Sequence, residues 1–138
     1  MSDIIITDIT QIDLLAEQML QYAHSLVPID IKDYNCIKNS STTLNATSAK
    51  FSICDKAYVD VFTETIKAFS NENAHRMLLQ ICVVGSSLKA YHIKTDEMVQ
   101  LFDAINGHFG EIDVVWGLSD CTDSETSYCE INVIVGYR

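Results

Sequence analysis

The 138 residues, 48% of them hydrophobic and 20% charged, can bury one sizeable core but are too few for two ordinary domains. A formal net charge of −10, with only nine Lys and Arg, sets a repulsive field before any phosphate backbone or anionic bilayer. Nucleic acid and anionic membrane are therefore excluded as partners.

Met1 leads into Ser2, Asp3 and the short run Ile4-Ile5-Ile6 with no basic region ahead of it, so no signal peptide is expected. No apolar stretch approaches the roughly 18 residues that a membrane span requires. Cys36, Cys54, Cys82, Cys121 and Cys129 make an odd count with no C-x-x-C pair, the pattern of neither a disulfide framework nor a zinc site. They read as buried or half-buried free thiols in a reducing cytoplasm, with Cys121 and Cys129 alone placed to face each other across a hairpin. The Asn-x-Ser/Thr sequences at Asn39 and Asn45 carry no meaning in that compartment.

In chain order, Ile12, Leu15, Ala16, Met19, Ala23 and Leu26 recur at the three-four spacing of one helix face, with Thr10 and Asp13 as its capping box and Pro28 as its stop. Asp30 to Ile37 predicts a second, weaker helix, followed by an Asn/Ser/Thr-rich loop over 39–48. Lys50 to Cys54 alternates as a half-buried strand does. Asp55 caps a helix in which Val59, Phe62, Ile66 and Phe69 share a face. Met77 to Val84 is a nearly continuous apolar run, broken by Gln80 and bounded by Arg76 and Gly85, short enough for a strand in the middle of a sheet. Thr95 starts a helix carrying Met98, Leu101, Phe102 and Ile105 and ending at Gly107. Asp113 to Leu118 and Ile131 to Val135 are strands joined by a polar turn, and so are predicted to pair as a hairpin. The expected fold is an α/β domain of the α+β type. It is a mixed four-stranded sheet ending in an antiparallel hairpin, packed by helices and preceded by an N-terminal helix.

The five glycines, Gly85, Gly107, Gly110, Gly117 and Gly136, accommodate neither a Walker loop nor a dinucleotide fingerprint. His24, His75, His92 and His108 form no H-x-x-x-H pair, and no G-x-S-x-G is present. No catalytic residue, cofactor or metal ligand is assigned, and the chain is expected to be no enzyme in its own right. Trp116 and Tyr137, at strand positions, read as sheet residues rather than binding aromatics.

The order of elements and three pieces of sequence resemble the C-terminal half of FtsZ, the bacterial tubulin homologue. Ile112-Asp113-Val114-Val115-Trp116-Gly117, a polar turn and Ile131 to Tyr137 resemble the family's last strand pair. Met77 to Gly85, followed by Leu88 and the helix from Thr95, resembles the preceding strand and helix. Pro28-Ile29-Asp30-Ile31-Lys32-Asp33 follows a long helix where the family has its synergy loop, N-x-D-x-x-D, with both aspartates kept and Pro28 in place of the Asn. The resemblance covers roughly residues 10 to 138. It implies a segment 1–28 similar to the family's central helix and a body 29–138 similar to its C-terminal domain, without the GTP-binding domain. In the family the synergy loop is inserted over the nucleotide of the next subunit, so the resemblance implies that Asp30 and Asp33 bind a partner there and contribute to its GTP hydrolysis in trans. From local chemistry alone, Asp30 is an N-cap and Asp33 a first-turn acid.

The function expected first is therefore non-enzymatic protein interaction, binding or capping a filament-forming FtsZ/tubulin-like GTPase in cell division. Two alternatives stand beside it. One is a small-molecule-binding oligomer, since the shape also resembles trimeric chorismate-mutase-like folds, although Arg76 and Arg138 are the only arginines available for an anionic ligand. The other is a homo-oligomeric structural protein whose first helix presents Leu14, Leu20 and Tyr22 to a second copy.

Overall fold

A computed structural model describes residues 5–20, 24–27, 29–51, 58–84, 95–121 and 128–138. The elements run α1 (Ile9–Leu20), β1 (His24–Val27), α2 (Ile31–Ser40), β2 (Thr43–Phe51), α3 (Tyr58–Lys67), β3 (Ala74–Val84), α4 (Thr95–Phe109), β4 (Asp113–Cys121) and β5 (Tyr128–Tyr137). The strands form one sheet in the order β1-β4-β3-β5-β2. β3 is parallel to β4 and antiparallel to β5, and the two outer pairings, β1 with β4 and β2 with β5, are antiparallel. The expected mixed sheet packed by helices is thus present with its four expected strands, and β1 adds a short fifth.

Alternation along the central strands sends side chains to two covered faces. Met77, Leu79 and Ile81 of β3 join Ile131, Val133 and Val135 of β5 beneath Phe62 and Ile66 of α3 and Leu101 and Ile105 of α4. Leu78 and Ile134 point the other way and join Leu44, Ala46, α1 residues Ile12, Leu15, Ala16 and Met19, and α2 residues Tyr34 and Ile37. Each such large side chain contributes roughly 1.5–3 kcal/mol by leaving water. Covering both faces is why the sequence of β3 reads as an apolar run interrupted only by Gln80.

One polar row crosses the sheet on the α1 and α2 face. Ser48 Oγ donates to Asn132 Oδ1 (2.6 Å), Asn132 Nδ2 to Gln80 Oε1 (3.2 Å), and Gln80 Nε2 to Ser119 Oγ (3.3 Å). Gln80, Asn132 and Ser119 are buried, so these bonds offset the cost of desolvating them. Gln80 Nε2 also donates to the Met19 carbonyl at 2.6 Å, one of the last-turn carbonyls for which a helix has no partner of its own.

Several expectations are corrected. The first helix stops at Leu20 rather than at Pro28, and Leu26 lies on a strand. His24, Ser25 and Val27 pair with Asp120, Ser119 and Leu118, main-chain bonding that replaces what two further helical turns would have supplied. Thr10 is not the cap. Asp8 Oδ1 accepts from the Thr10 and Gln11 amides (2.8 and 3.4 Å) while the Asp8 carbonyl takes the Ile12 amide. Asp13 is engaged instead between α1 and α2, accepting from Tyr34 Oη (2.5 Å) and Lys38 Nζ (3.1 Å). The predicted loop over 39–48 is the end of α2 and most of β2, where Thr43 to Phe51 pair with Tyr137 to Cys129 without a break. Its threonines suit a pleated strand, and its small Ala46 and Ala49 fit beneath packed neighbours. The last two strands form no hairpin. β4 and β5 flank β3 on opposite edges, because β5 is buried from Cys129 to Tyr137 and takes a partner on each side, whereas β4 carries the exposed Asp113 and Val115. Cys121 therefore pairs with Val84, and Cys129 with Val83 from the other edge. The Asp55 cap and Cys54 lie outside the described residues. α4 continues through Gly107 to Phe109 and ends at Gly110, whose φ of 76° and amide bond to the Asn106 carbonyl make the left-handed cap.

Two measurements check this account. Asp8→Ala should lower stability in urea by about 1 kcal/mol, and Thr10→Ala by less than about 0.5 kcal/mol. The hydrogen bonds from Tyr34 and Lys38, with the Lys38 charge, hold the Asp13 carboxyl below its ordinary range, so its contribution is complete above that range and fades as pH falls below about 4. Burial, and then the bond to Asp13, raise the Tyr34 phenol well above its ordinary value, so its contribution is complete below pH ~10 and fades as pH climbs beyond. Urea midpoints across pH should show a flatter acid arm for Asp13→Asn and a flatter alkaline arm for Tyr34→Phe.

Candidate functional site

The two aspartates singled out in the sequence sit at the start of α2. Asp30 is the N-cap, with φ −103° and ψ 153°, and its Oδ1 accepts from the Lys32 amide at 3.0 Å. Asp33 Oδ2 accepts in turn from the Asp30 amide at 2.9 Å, closing a reciprocal capping box. The Asp33 amide also donates to the Asp30 side chain, and a carboxylate has acceptor capacity on both of its oxygens. Capping and contact with a partner are therefore compatible uses of the same side chains.

What surrounds the pair could not be read from the sequence, because it comes from the beginnings of two distant strands. A pocket of about 80 Å³ lies beside Asp33, with Ile37, Met77 and Leu78 as apolar lining and Arg76, Asp113 and Val115 from β3 and β4. Arg76 Nη1 donates to Cys36 Sγ, and Arg76 Nε stands 4.0 Å from Asp113 Oδ2. The Asp113 side chain is 84% exposed, so that pairing is worth little energetically, well under about 1 kcal/mol. Ile31 and Val115 are 50% and 40% exposed. The surface thus combines acids, one guanidinium and two aliphatic side chains.

Asp113 also borders a wider, open cavity of about 590 Å³ lined by His75, Asn106, Glu111 and Arg138 among others. Burial and then the charges of Arg138 and Arg76 push the His75 imidazole below its ordinary value, so it is neutral at pH 7. Its Nε2 lies 2.9 Å from Ser41 Oγ. The fold therefore brings both arginines to one end of the sheet, but together with Glu111 and Asp113, which cancel the positive field that an anionic ligand needs.

The α1 residues fare differently. Leu14 is 56% exposed, Leu20 is half-buried, and Tyr22 lies outside the described residues. Ile9, which the periodicity did not single out, is 46% exposed. Cys36 is an exposed thiol, whereas Cys82 and Cys129 are buried, with burial pushing the Cys129 thiol up to about 12. Among the described residues no group of three or more His, Cys, Asp or Glu could hold a metal ion, and no helix is long and apolar enough to cross a membrane.

No protein-family model and no curated protein matches the sequence. Solved structures do match in fold. A GTPγS-form protofilament of TubZ from Bacillus thuringiensis serovar israelensis aligns with 92% of the chain at 14% identity and a TM-score of 0.64. CetZ from Methanosaeta thermophila aligns with 94% at 13% identity and a TM-score of 0.58, and an FtsZ dimer from M. jannaschii with 83% at 12% identity and a TM-score of 0.53. The chain spans about a third of the length of each of these proteins: 34%, 35% and 33%. The fold is of the tubulin/FtsZ type.

Proposed function

We propose that the chain is a protein-interaction domain built like the C-terminal domain of an FtsZ-type protein, with 1–28 in the place of the central helix and 29–138 as the body. It docks through the start of α2 on a filament-forming GTPase of the same fold type and performs no catalysis on a nucleotide of its own. The observation that carries this is the Asp30–Asp33 capping box, set beside the exposed Ile31 and Val115. Acids and aliphatic side chains together on an otherwise solvated helix start suit a contact surface, where the apolar groups supply burial and the charges supply register. The structures that share the fold include protofilaments and a dimer, assemblies in which one copy meets the next. A carboxylate presented across such a junction can accept a hydrogen bond from a water attacking the partner's nucleotide, so a contribution to the partner's hydrolysis in trans belongs to the same proposal. Cytoplasmic cell division is the setting in which such a partner would be met.

Pelleting of an FtsZ- or TubZ-type GTPase with GTP, in the presence and absence of this protein, tests the proposal. Co-sedimentation or an altered polymer yield is expected. The Asp30→Asn, Asp33→Asn double variant keeps acceptor oxygens for the cap but removes both charges, and should weaken the effect by about tenfold while leaving the unfolding midpoint nearly unchanged. An unchanged effect in that variant, or none with the wild-type protein, rejects it.

A second reading has its own support in the exposed Ile9 and Leu14 on α1, which suit self-association along that helix. Leu14→Glu should then convert a dimer to a monomer in sedimentation equilibrium, and a wild-type monomer at all concentrations would exclude this reading.

A further inference from the structure

Among the described residues, β4 is paired along its whole length on one side but only at its far end on the other. Asp113 to Cys121 pair with Arg76 to Val84 of β3. On the outer side β1 reaches Leu118, Ser119 and Asp120 only. Among the described residues, no strand lies against the outer side of 113–116. We propose that this stretch is a docking site for an extended, lysine- or arginine-rich segment of another protein, which adds to the sheet as a strand in line with β1.

An open strand edge presents main-chain N–H and C=O groups that a further strand can satisfy, and alternate side chains of that strand then select among sequences. Gly117 is buried, so the accessible stretch is Asp113 to Trp116, and four residues at about 3.3 Å each offer roughly 13 Å of such edge, enough for a short motif. β1 demonstrates that this edge accepts an antiparallel neighbour, since it does so at 118–120. Val115 is exposed, and the pocket beside it, with Met77 and Leu78 in its lining, offers an apolar seat for one side chain of the incoming strand.

Charge decides the occupant. Asp33 and Asp113 share that pocket with Arg76 as its one cation, and Asp30 lies at the head of the same helix as Asp33. A basic residue arriving at this edge meets carboxylates with which it forms charge-assisted hydrogen bonds. A second copy of this chain would bring the same acids to the same place, along with its net charge of −10, and would be repelled. The site shares Asp30, Asp33 and Val115 with the surface of the filament proposal but does not rest on it, because peptide binding at this edge and co-sedimentation with a GTPase can fail separately.

The test uses a fluorescein-labelled octapeptide of alternating valine and lysine, and a control in which the two central valines are prolines. Saturable binding by fluorescence anisotropy is expected, with slowed amide exchange confined to 113–116. The proline control and the Val115→Lys variant should each bind at least about tenfold more weakly. Asp113→Lys, at a side chain that is almost fully exposed, gives a second variant that leaves the fold undisturbed and should weaken binding likewise. Equal binding of the proline control, slowed exchange elsewhere but not at 113–116, or no saturable binding would each overturn the proposal.

Discussion

Gln80 sets the terms for the rest of the molecule. It is a polar side chain in the middle of a central strand covered on both faces, and it can be buried there only if its amide is bonded on both ends. Asn132 from β5, Ser119 from β4 and the Met19 carbonyl from α1 meet that demand. The same bonds pin the register of three neighbouring strands, since a slip of one residue would turn this polar row into the apolar layer beneath α3 and α4. They also fix where α1 ends on the sheet, by taking one of its last carbonyls.

Much of this was legible wherever a local pattern and a long-range one agree. β3 announces itself as a central strand because covering both faces removes polar alternation, and α2 because Asp30 and Asp33 form a cap from within six residues of sequence. α1 was legible only in part. Its apolar spacing continues through Ala23 and Leu26, yet the chain leaves the helix, because pairing with β4 competes with further turns and a periodicity cannot weigh that competition. β2 was missed for a related reason. Its Ser, Thr and Asn have the composition of a loop, but their small size suits a strand packed beneath α1, and beside it the end of α2 comes so near Gly136 of β5 that a Cβ there would collide with Ser41 and Ile37. The strand order at the end of the chain was misread because a short connection suggests a hairpin. Full burial of β5 is the feature that instead sets it between β3 and β2.

The candidate site divides along the same line. Asp30 and Asp33 belong to one turn of helix and could be picked out from the sequence. Arg76, Asp113 and Val115 come to them only through the parallel pairing of β3 with β4, which aligns the starts of two strands some forty positions apart. Val115 in particular belongs to a run, Asp113 to Leu118, that reads as sheet interior. Its exposure follows from α2 covering β3 and β5 but stopping short of the outermost long strand.

The two margins of the sheet are not equivalent. At the far margin Ile6 exchanges both main-chain hydrogen bonds with Ala46 of β2, at 2.7 and 2.9 Å, so the chain clasps that strand at one position. Among the described residues one margin is thus tied by a short strand and the other by a single clasp. A guest strand on β4 would leave that clasp in place, so binding at one margin does not loosen the other.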